Sequence, residues 1–341
     1  YTVYRTVRHY PRQIGGNLLG YVGEVTQEML KRYTSYKAGD YVGISGVESA
    51  YESELKGRKG VKVLERDTHG AIKGSYMNGL YDSLPEPGRY LVSTIDARLQ
   101  LLGEELMRGK VGAAVAIEPA TGEILMMVSS PSYDPDELVG RERGNHYMEM
   151  LRNKRQPLYN RAVKSRYPPG STFKLATMLT LLDDARMPVS TVYDTHNGDP
   201  VTVGPARNIR DSHRGDREID FRRAVASSSN VYFAEAVWDR YGITGRKQRY
   251  SDYLRDELHL GETVGLERLG ERAPSITSDW KVPDPGVMLV KMAYGYRVRL
   301  TPIQMITFYN AVANDGCMVA PRLVREIRRG GEVVERPERR V

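Results

Sequence analysis

Two nearly continuous apolar segments constrain the fold of this chain most. They run from Gly112 to Glu118 and from Glu123 to Val128, and Pro119-Ala-Thr-Gly122 joins them with residues typical of a tight turn. The sequence therefore predicts a β-hairpin. Strands without polar alternation are usually covered on both faces, so we expect helices on both sides of this sheet and an α+β fold.

Length and composition are those of a globular protein with a substantial core. The chain has 341 residues, 40% of them hydrophobic, which predicts one large domain or two smaller ones. No run of about 18 apolar residues is present, so the sequence predicts no membrane span within itself. Cys317 is the only cysteine, which excludes an internal disulfide. The chain begins at Tyr1 in mid-pattern, so we expect a fragment or a processed chain, with any anchor upstream.

The charge balance favours an anionic environment. The formal net charge is +7 and the sequence pI is about 9.2, which suits an anionic membrane surface or a cell wall. A nucleic-acid partner is disfavoured, because basic residues are interspersed with acids and no nucleic-acid-binding motif is present.

Two regions of different character meet near residue 90. Residues 1–90 are rich in glycine, tyrosine and charge, with short strand-like pieces between turns, which predicts an extended, mostly β module. Residues 91–341 hold the apolar hairpin, a final hairpin around Gly330-Gly331 and helical patterns. The pattern predicts four helices. The first is Ala97–Arg108, with Leu99, Leu102 and Leu106 on one side, and the second follows Ser171. The third follows Asn230, with Val231, Ala234 and Trp238 facing inward, and the fourth begins at the capping box Thr301-Pro302-Ile-Gln304.

A serine and a lysine three residues apart, Ser171 and Lys174, open one of these helices. Such a pair lies on one helix face, and a neutral lysine can take the proton of a serine nucleophile if burial lowers the lysine pKa. The chain contains the same spacing at Ser53/Lys56, within a charged run, and at Ser278/Lys281, among prolines. Only the Ser171 pair precedes an apolar-periodic helix, which would bury the lysine. The alternative is a capped core helix with an incidental lysine.

A second motif follows 57 residues later, where Ser228 and Asn230 form S-x-N before a predicted helix. The hydroxyl of Ser228 would relay a proton between Lys174 and a leaving amine, and the amide of Asn230 would hold a substrate carbonyl. The alternative is that both residues are ordinary helix caps.

S-x-x-K followed by S-x-N resembles the penicillin-binding proteins and serine β-lactamases. Further segments are similar to class B penicillin-binding proteins, and the elongation type, penicillin-binding protein 2, is favoured over the division type. These segments are Gly43–Gly57, Leu91–Gln100, Ala116–Ile124, Ser130–Pro135, Asn160–Ala162 and Leu300–Gln304.

The resemblance implies a transpeptidase fold, an antiparallel sheet flanked by helices, over residues 91–341, and a partial pedestal (dimerisation-type) module over residues 1–90. It implies that Ser171 is the acylated nucleophile, Lys174 its base, Ser228 the proton relay and Asn230 the substrate-holding amide. The implied reaction is D,D-transpeptidation of peptidoglycan stem peptides, with β-lactams acylating the same serine. The implied partners are stem peptides, the lipid-linked precursor and a SEDS-type glycan polymerase, and the implied location is the periplasmic face of the inner membrane, anchored by an upstream helix.

One departure from the family pattern concerns the third motif. K-T-G, which would supply a cation for the substrate carboxylate and an oxyanion donor, occurs nowhere in the 341 residues. We therefore expect the transpeptidase domain to be incomplete at its C-terminus. If these residues were the whole molecule, weak or absent activity would follow, because losing one oxyanion donor typically reduces the rate about a hundred- to a thousandfold.

No cofactor is expected, although a polar cluster leaves zinc as an alternative. Some elongation-type relatives are thought to carry zinc in this region, and carboxylate and imidazole groups bind it. A polar surface loop explains the same residues: Asp194, His196, Asp199, Asp211, His213 and Asp216. The alternatives to a transpeptidase are a β-lactam-hydrolysing enzyme, a β-lactam sensor and a non-enzymatic scaffold.

Overall fold

A computed structural model describes residues 8–32 and 35–341 of the chain, so Tyr1 and the rest of the first seven residues of the predicted 1–90 module lie outside the described part. Helices and short antiparallel strands alternate along the chain. The chain divides into two compact units, one of Tyr1–Asn160 with Val319–Val341 and one of Arg161–Met318. In the described part, no helix is both long enough and apolar enough to cross a membrane.

The first unit opens with short elements. Residues 49–93 include no buried side chain. Four short helices accompany the strands in the region predicted as mostly β. The elements are α1 (Gly16–Leu19), β1 (Val22–Glu24), α2 (Gln27–Arg32), β2 (Tyr41–Gly43), α3 (Gly46–Ala50), α4 (Glu52–Leu55), β3 (Leu64–Arg66), β4 (Ile72–Ser75) and β5 (Tyr90–Ser93), with β1 paired to β2 and β3 to β4.

The predicted apolar hairpin is confirmed. It consists of β6 (Gly112–Ile117) and β7 (Ile124–Ser130), which follow α5 (Ala97–Met107) and pair antiparallel from Gly112 opposite Ser130. β7 is largely buried, whereas β6 is only half-buried between Gly112 and Ala116. The prediction that both strands are covered on both faces is therefore wrong for β6, because α5 packs mainly against β7. Helix α6 (Arg143–Arg152) completes this part of the unit.

The buried face of α5 differs from the predicted leucine face. Leu102 and Leu106 are 49% and 61% exposed, while Gln100 and Gly103 are buried. Gln100 exchanges two hydrogen bonds with the backbone of Met127, at 3.0 and 2.9 Å, which satisfies its amide in the interior. Because the Met127 backbone satisfies its amide, Gln100 can occupy an inward position on α5 that would otherwise suit a leucine.

The second unit is a helical core edged by small strands. Its elements are α7 (Arg161–Lys164), α8 (Lys174–Asp183), β8 (Tyr193–Asp194), β9 (Val201–Val203), β10 (Ala206–Ile209), β11 (Glu218–Ile219), α9 (Phe221–Ser227), α10 (Asn230–Val237), α11 (Lys247–Asp252), α12 (Pro285–Met292) and α13 (Pro302–Ala313). Helices α8 and α12 both pack on α10, whose Val231 and Ala234 are fully buried as predicted. The predicted capping box of α13, between Thr301 and Gln304, is confirmed.

The final hairpin, β12 (Val324–Arg329) and β13 (Glu332–Glu335), belongs to the first unit. β12 pairs with both β13 and β5, which makes a three-stranded antiparallel sheet. The predicted hairpin is confirmed, and its pairing with β5 joins distant parts of the sequence.

Candidate active site

Ser171 lies on an exposed 3₁₀ turn, Gly170–Phe173, that leads directly into α8. Gly170 has a φ of +59°, which suits glycine, and its N–H donates to the carbonyl of Gly295 at 3.2 Å. The hydroxyl of Tyr309 donates to the Thr172 carbonyl at 2.7 Å. Two neighbouring segments therefore hold the turn in place from its backbone, while the Ser171 side chain stays open to solvent.

Lys174, the first residue of α8, is buried, with only 6% of its surface exposed. Its Nζ donates to the hydroxyl of Ser228 at 3.0 Å and also to the Ser228 backbone carbonyl. Burial lowers the pKa of Lys174 to about 8, and the negative charge of Asp211 partly offsets this effect. The lysine is thus half neutral at about pH 8, and its neutral form is the one that can act as a general base.

Ser228, the first residue of the S-x-N motif, contacts Lys174. Ser228 ends α9 with a φ of +54°, a left-handed conformation that turns the chain into α10 and presents both its oxygens to Lys174. Asn230 begins α10, and its side-chain Nδ2 donates to the carbonyl of Arg210 at 2.9 Å. The structure therefore brings Lys174 and Ser228 into direct contact and places Asn230 two residues further along the same turn.

Asp211 organises this turn, a role that no sequence motif indicates. Its carboxylate accepts from the Ser229 hydroxyl at 2.7 Å and from the backbone N–H groups of Asn230 and Val231 at 2.5 and 3.0 Å. It thereby satisfies the first amides of α10 and places a negative charge at the positive end of the helix. An aspartate in a loop 19 residues before the helix has no fixed sequence spacing that would have identified it.

The other two S-x-x-K pairs have no such surroundings. Lys56 is exposed and donates to the Ser35 hydroxyl at 3.2 Å, and Ser53 is exposed on α4. Ser278 and Lys281 lie on an exposed loop. Of the three lysines, only Lys174 is buried.

The polar cluster before the S-x-N motif does not fit a metal. Within residues 8–32 and 35–341, no three histidine, cysteine, aspartate or glutamate side chains converge as a metal site. The carboxylates have other partners: Asp194 meets Arg217 at 3.0 Å, Asp199 meets Arg214 at 3.0 Å, and Asp216 meets Arg223 at 2.9 Å. Asp211 caps α10, so the donor set for zinc is not assembled.

Comparison with known families gives two matches that together span most of the chain. Residues 112–340 match the penicillin binding protein transpeptidase domain, and residues 1–93 match the penicillin-binding protein dimerisation domain. The first match alone covers more than half of the sequence.

Individual relatives agree with these matches. The chain is 30% identical to the peptidoglycan D,D-transpeptidase MrdA of Haemophilus influenzae over 96% of this chain and 51% of that protein. The chain thus spans about half the length of the curated relatives it matches.

Solved structures show the same similarity. The Pseudomonas aeruginosa PBP2 structure in complex with WCK 5153 superposes with a TM-score of 0.78 at 29% identity, over 98% of this chain and 69% of that one. A structure described as the structural coordination of polymerization and crosslinking by a peptidoglycan synthase complex superposes with a TM-score of 0.79 at 30% identity, over 98% and 60%. The resemblance and the α+β fold predicted from the sequence are confirmed, and the chain belongs to the penicillin-binding protein transpeptidase family.

Proposed function

We propose that the protein is a serine D,D-transpeptidase that cross-links peptidoglycan stem peptides through an acyl-enzyme at Ser171, in cell elongation. The observation that carries the proposal is the buried Lys174, whose Nζ meets Ser228 while Ser171 lies exposed one turn away. A buried lysine with a lowered pKa, in contact with Ser228 and one helical turn from Ser171, supports acyl transfer, because a serine hydroxyl needs a base to become a nucleophile.

In the first half-reaction, the Ser171 Oγ attacks the carbonyl of the penultimate D-Ala of a donor stem. Neutral Lys174 takes the hydroxyl proton, the C–O bond of an ester forms and the C–N bond to the terminal D-Ala breaks. The proton passes from Lys174 through the Ser228 hydroxyl, 3.0 Å away, to the departing amine. The terminal D-Ala leaves as the free amino acid.

In the second half-reaction, an amine of a neighbouring stem attacks the ester. Its proton passes through Ser228 to Lys174, a new amide bond forms, the ester C–O bond to Ser171 breaks, and Lys174 gives the proton to the Ser171 oxygen. The Asn230 amide, fixed at the start of α10, holds the donor stem near the nucleophile. β-Lactams resemble the terminal dipeptide and would acylate Ser171 by the same first step.

The two family matches support an assignment of two different domains along the chain. We assign residues 1–90 to a pedestal module and residues 91–341 to the transpeptidase domain. We place the protein at the periplasmic face of the inner membrane, held there by a membrane anchor, with the lipid-linked precursor and a SEDS-type glycan polymerase as partners. The structural neighbour described as part of a peptidoglycan synthase complex supports the polymerase partner.

Release of D-Ala tests the proposal. The protein that carries this sequence is incubated with a pentapeptide stem ending in D-Ala-D-Ala and an amine acceptor, and free D-Ala is measured. Ser171→Ala should abolish release, whereas Ser53→Ala, which changes the serine of the same spacing on α4, should leave it unchanged. Equal release by the parent protein and Ser171→Ala would refute the proposal.

A further inference from the structure

Three chain segments of the second unit lie side by side next to the nucleophile turn. Tyr167 and Leu300 form an antiparallel bridge with reciprocal hydrogen bonds of 2.9 and 3.0 Å. Ser275 and Arg299 form another, at 2.8 and 3.0 Å. The stretches 163–167, 272–275 and 297–300 therefore form one continuous surface.

These segments carry five cations that have no acidic partner among the described residues. Lys164 and Arg166 are half-buried and the other three are exposed. A Cβ added at Gly270 would lie 2.7 Å from Cε of Lys164, so this lysine covers the chain leading to Arg272. In the described part of the chain, none of the five forms an ion pair. We call this set the arginine-rich surface: Lys164, Arg166, Arg272, Arg297 and Arg299.

The carboxylates nearest in sequence are already engaged. Glu271 is buried and accepts from the N–H groups of Val264 and Leu266 and from the Gln304 amide, between 2.9 and 3.2 Å. Burial raises the pKa of Glu271. Glu267 accepts from the Thr263 hydroxyl. The carboxylates nearest in sequence therefore do not neutralise the five cations on these adjoining segments, and a bound anion would compensate their charge.

The arginine-rich surface adjoins the nucleophile. Tyr167 precedes Ser171 by four residues, so their Cα atoms are at most about 14 Å apart. Gly295, which accepts from the Gly170 N–H, lies two residues before Arg297. Tyr167 and Tyr296, 44% and 53% exposed, are the sequence neighbours of Arg166 and Arg297. Arginine and tyrosine together suit a peptide that carries carboxylates.

We propose that the arginine-rich surface binds the free carboxylates of the stem peptide that reacts at Ser171, and so selects stems whose side carboxyls are free over stems in which they are amidated. This rests on the proposed transpeptidase function. Guanidinium groups bind carboxylates through paired hydrogen bonds, and a carboxamide offers neither the charge nor two acceptor oxygens.

The test compares two stem pentapeptides, one with free and one with amidated side carboxyls, in the D-Ala release assay. The variant is Arg272→Gln with Arg299→Gln, whose side chains are exposed and form no ion pair with the described residues. The control is Arg207→Gln with Lys247→Gln, which removes the same charge from β10 and α11. For the free-carboxyl stem, the KM of the variant should rise about tenfold with kcat unchanged, and its dependence on salt should weaken.

For the amidated stem, the KM should already be high in the parent and should not change in the variant. The control pair should leave both KM values within about twofold. An unchanged KM for the free-carboxyl stem, or an equal rise for both stems or in the control, would overturn the proposal. Acylation of Ser171 by penicillin distinguishes failure of the proposed function from failure of the arginine-rich surface. If penicillin does not acylate Ser171 in the parent, the proposed function is refuted. If it does, and the KM for the free-carboxyl stem is unchanged in the variant, only the proposed role of the arginine-rich surface is refuted.

Discussion

Replacing Asp211 with asparagine tests how the surroundings set the basicity of Lys174. With a pKa of about 8, Lys174 is neutral in about a tenth of the molecules at pH 7 and in about nine-tenths at pH 9. The acylation rate of the parent should therefore rise about tenfold between these pH values. The Asp211 charge raises the pKa of Lys174, so Asp211→Asn should move the midpoint of this rise to lower pH.

The size of the effect has an upper bound. At pH 7 the neutral fraction of Lys174 can increase from about a tenth to at most one, so the rate gain cannot exceed about tenfold. Asparagine retains an acceptor oxygen for the N–H groups of Asn230 and Val231, which limits the structural damage. Asp211→Ala loses all three bonds and should also lower the rate at high pH, with a loss of about 1–3 kcal/mol of stability.

The assay is the second-order rate of labelling by a fluorescent penicillin from pH 6 to 9.5. Asp216→Asn is the matched control, because it removes the same charge from the same loop but pairs with Arg223 instead of capping α10. Its midpoint should coincide with that of the parent. A midpoint of Asp211→Asn that stays in place or moves to higher pH would show that the Asp211 charge does not act on Lys174.

Two further predictions concern the same turn and the same lysine. Gly295→Ala should slow penicillin labelling at least tenfold and lower Tm, because its Cβ would lie 2.0 Å from the Gly170 carbonyl oxygen at a φ of +83°; Gly316→Ala, with a φ of +86° and open space, should affect only stability. Lys174→Met should remove a pH dependence of unfolding. Between pH 8 and 10.5 the unfolded parent keeps a proton that the folded parent has lost, so its stability should rise with pH by about 3 kcal/mol relative to the variant. The measurement is the free energy of unfolding from denaturant titrations at each pH. A parallel change with pH in the parent and in Lys174→Met would contradict this prediction.

Local patterns predicted the parts of the fold that depend on neighbouring residues. The turn between β6 and β7 and the capping box at Thr301 and Gln304 each rest on a few consecutive residues, and both are present. The inward face of α5 was predicted wrongly, because the burial of Gln100 depends on a hydrogen-bond exchange with Met127, 27 residues away. Propensity cannot anticipate such tertiary partners.

The candidate site likewise combines features set by neighbouring residues with features set by tertiary contacts. Lys174 was recognisable because its spacing from Ser171 and the apolar helix after it are local, and its burial follows from that helix. The sequence pattern places Asp211 among the candidate metal ligands, because an aspartate in a polar loop looks the same in sequence whether it binds a metal or caps a helix. Only the approach of the loop to α10 distinguishes the two roles.

In the proposed reaction Ser171, and no other serine of the chain, is acylated. The most direct measurement is to react the protein that carries this sequence with benzylpenicillin at pH 8.5, digest it and locate the added mass by tandem mass spectrometry. We expect one adduct per chain on Ser171, lost in Ser171→Ala and formed more slowly in Ser228→Ala. An adduct on Ser53, Ser228 or Ser278, or equal labelling of Ser171→Ala, would contradict it.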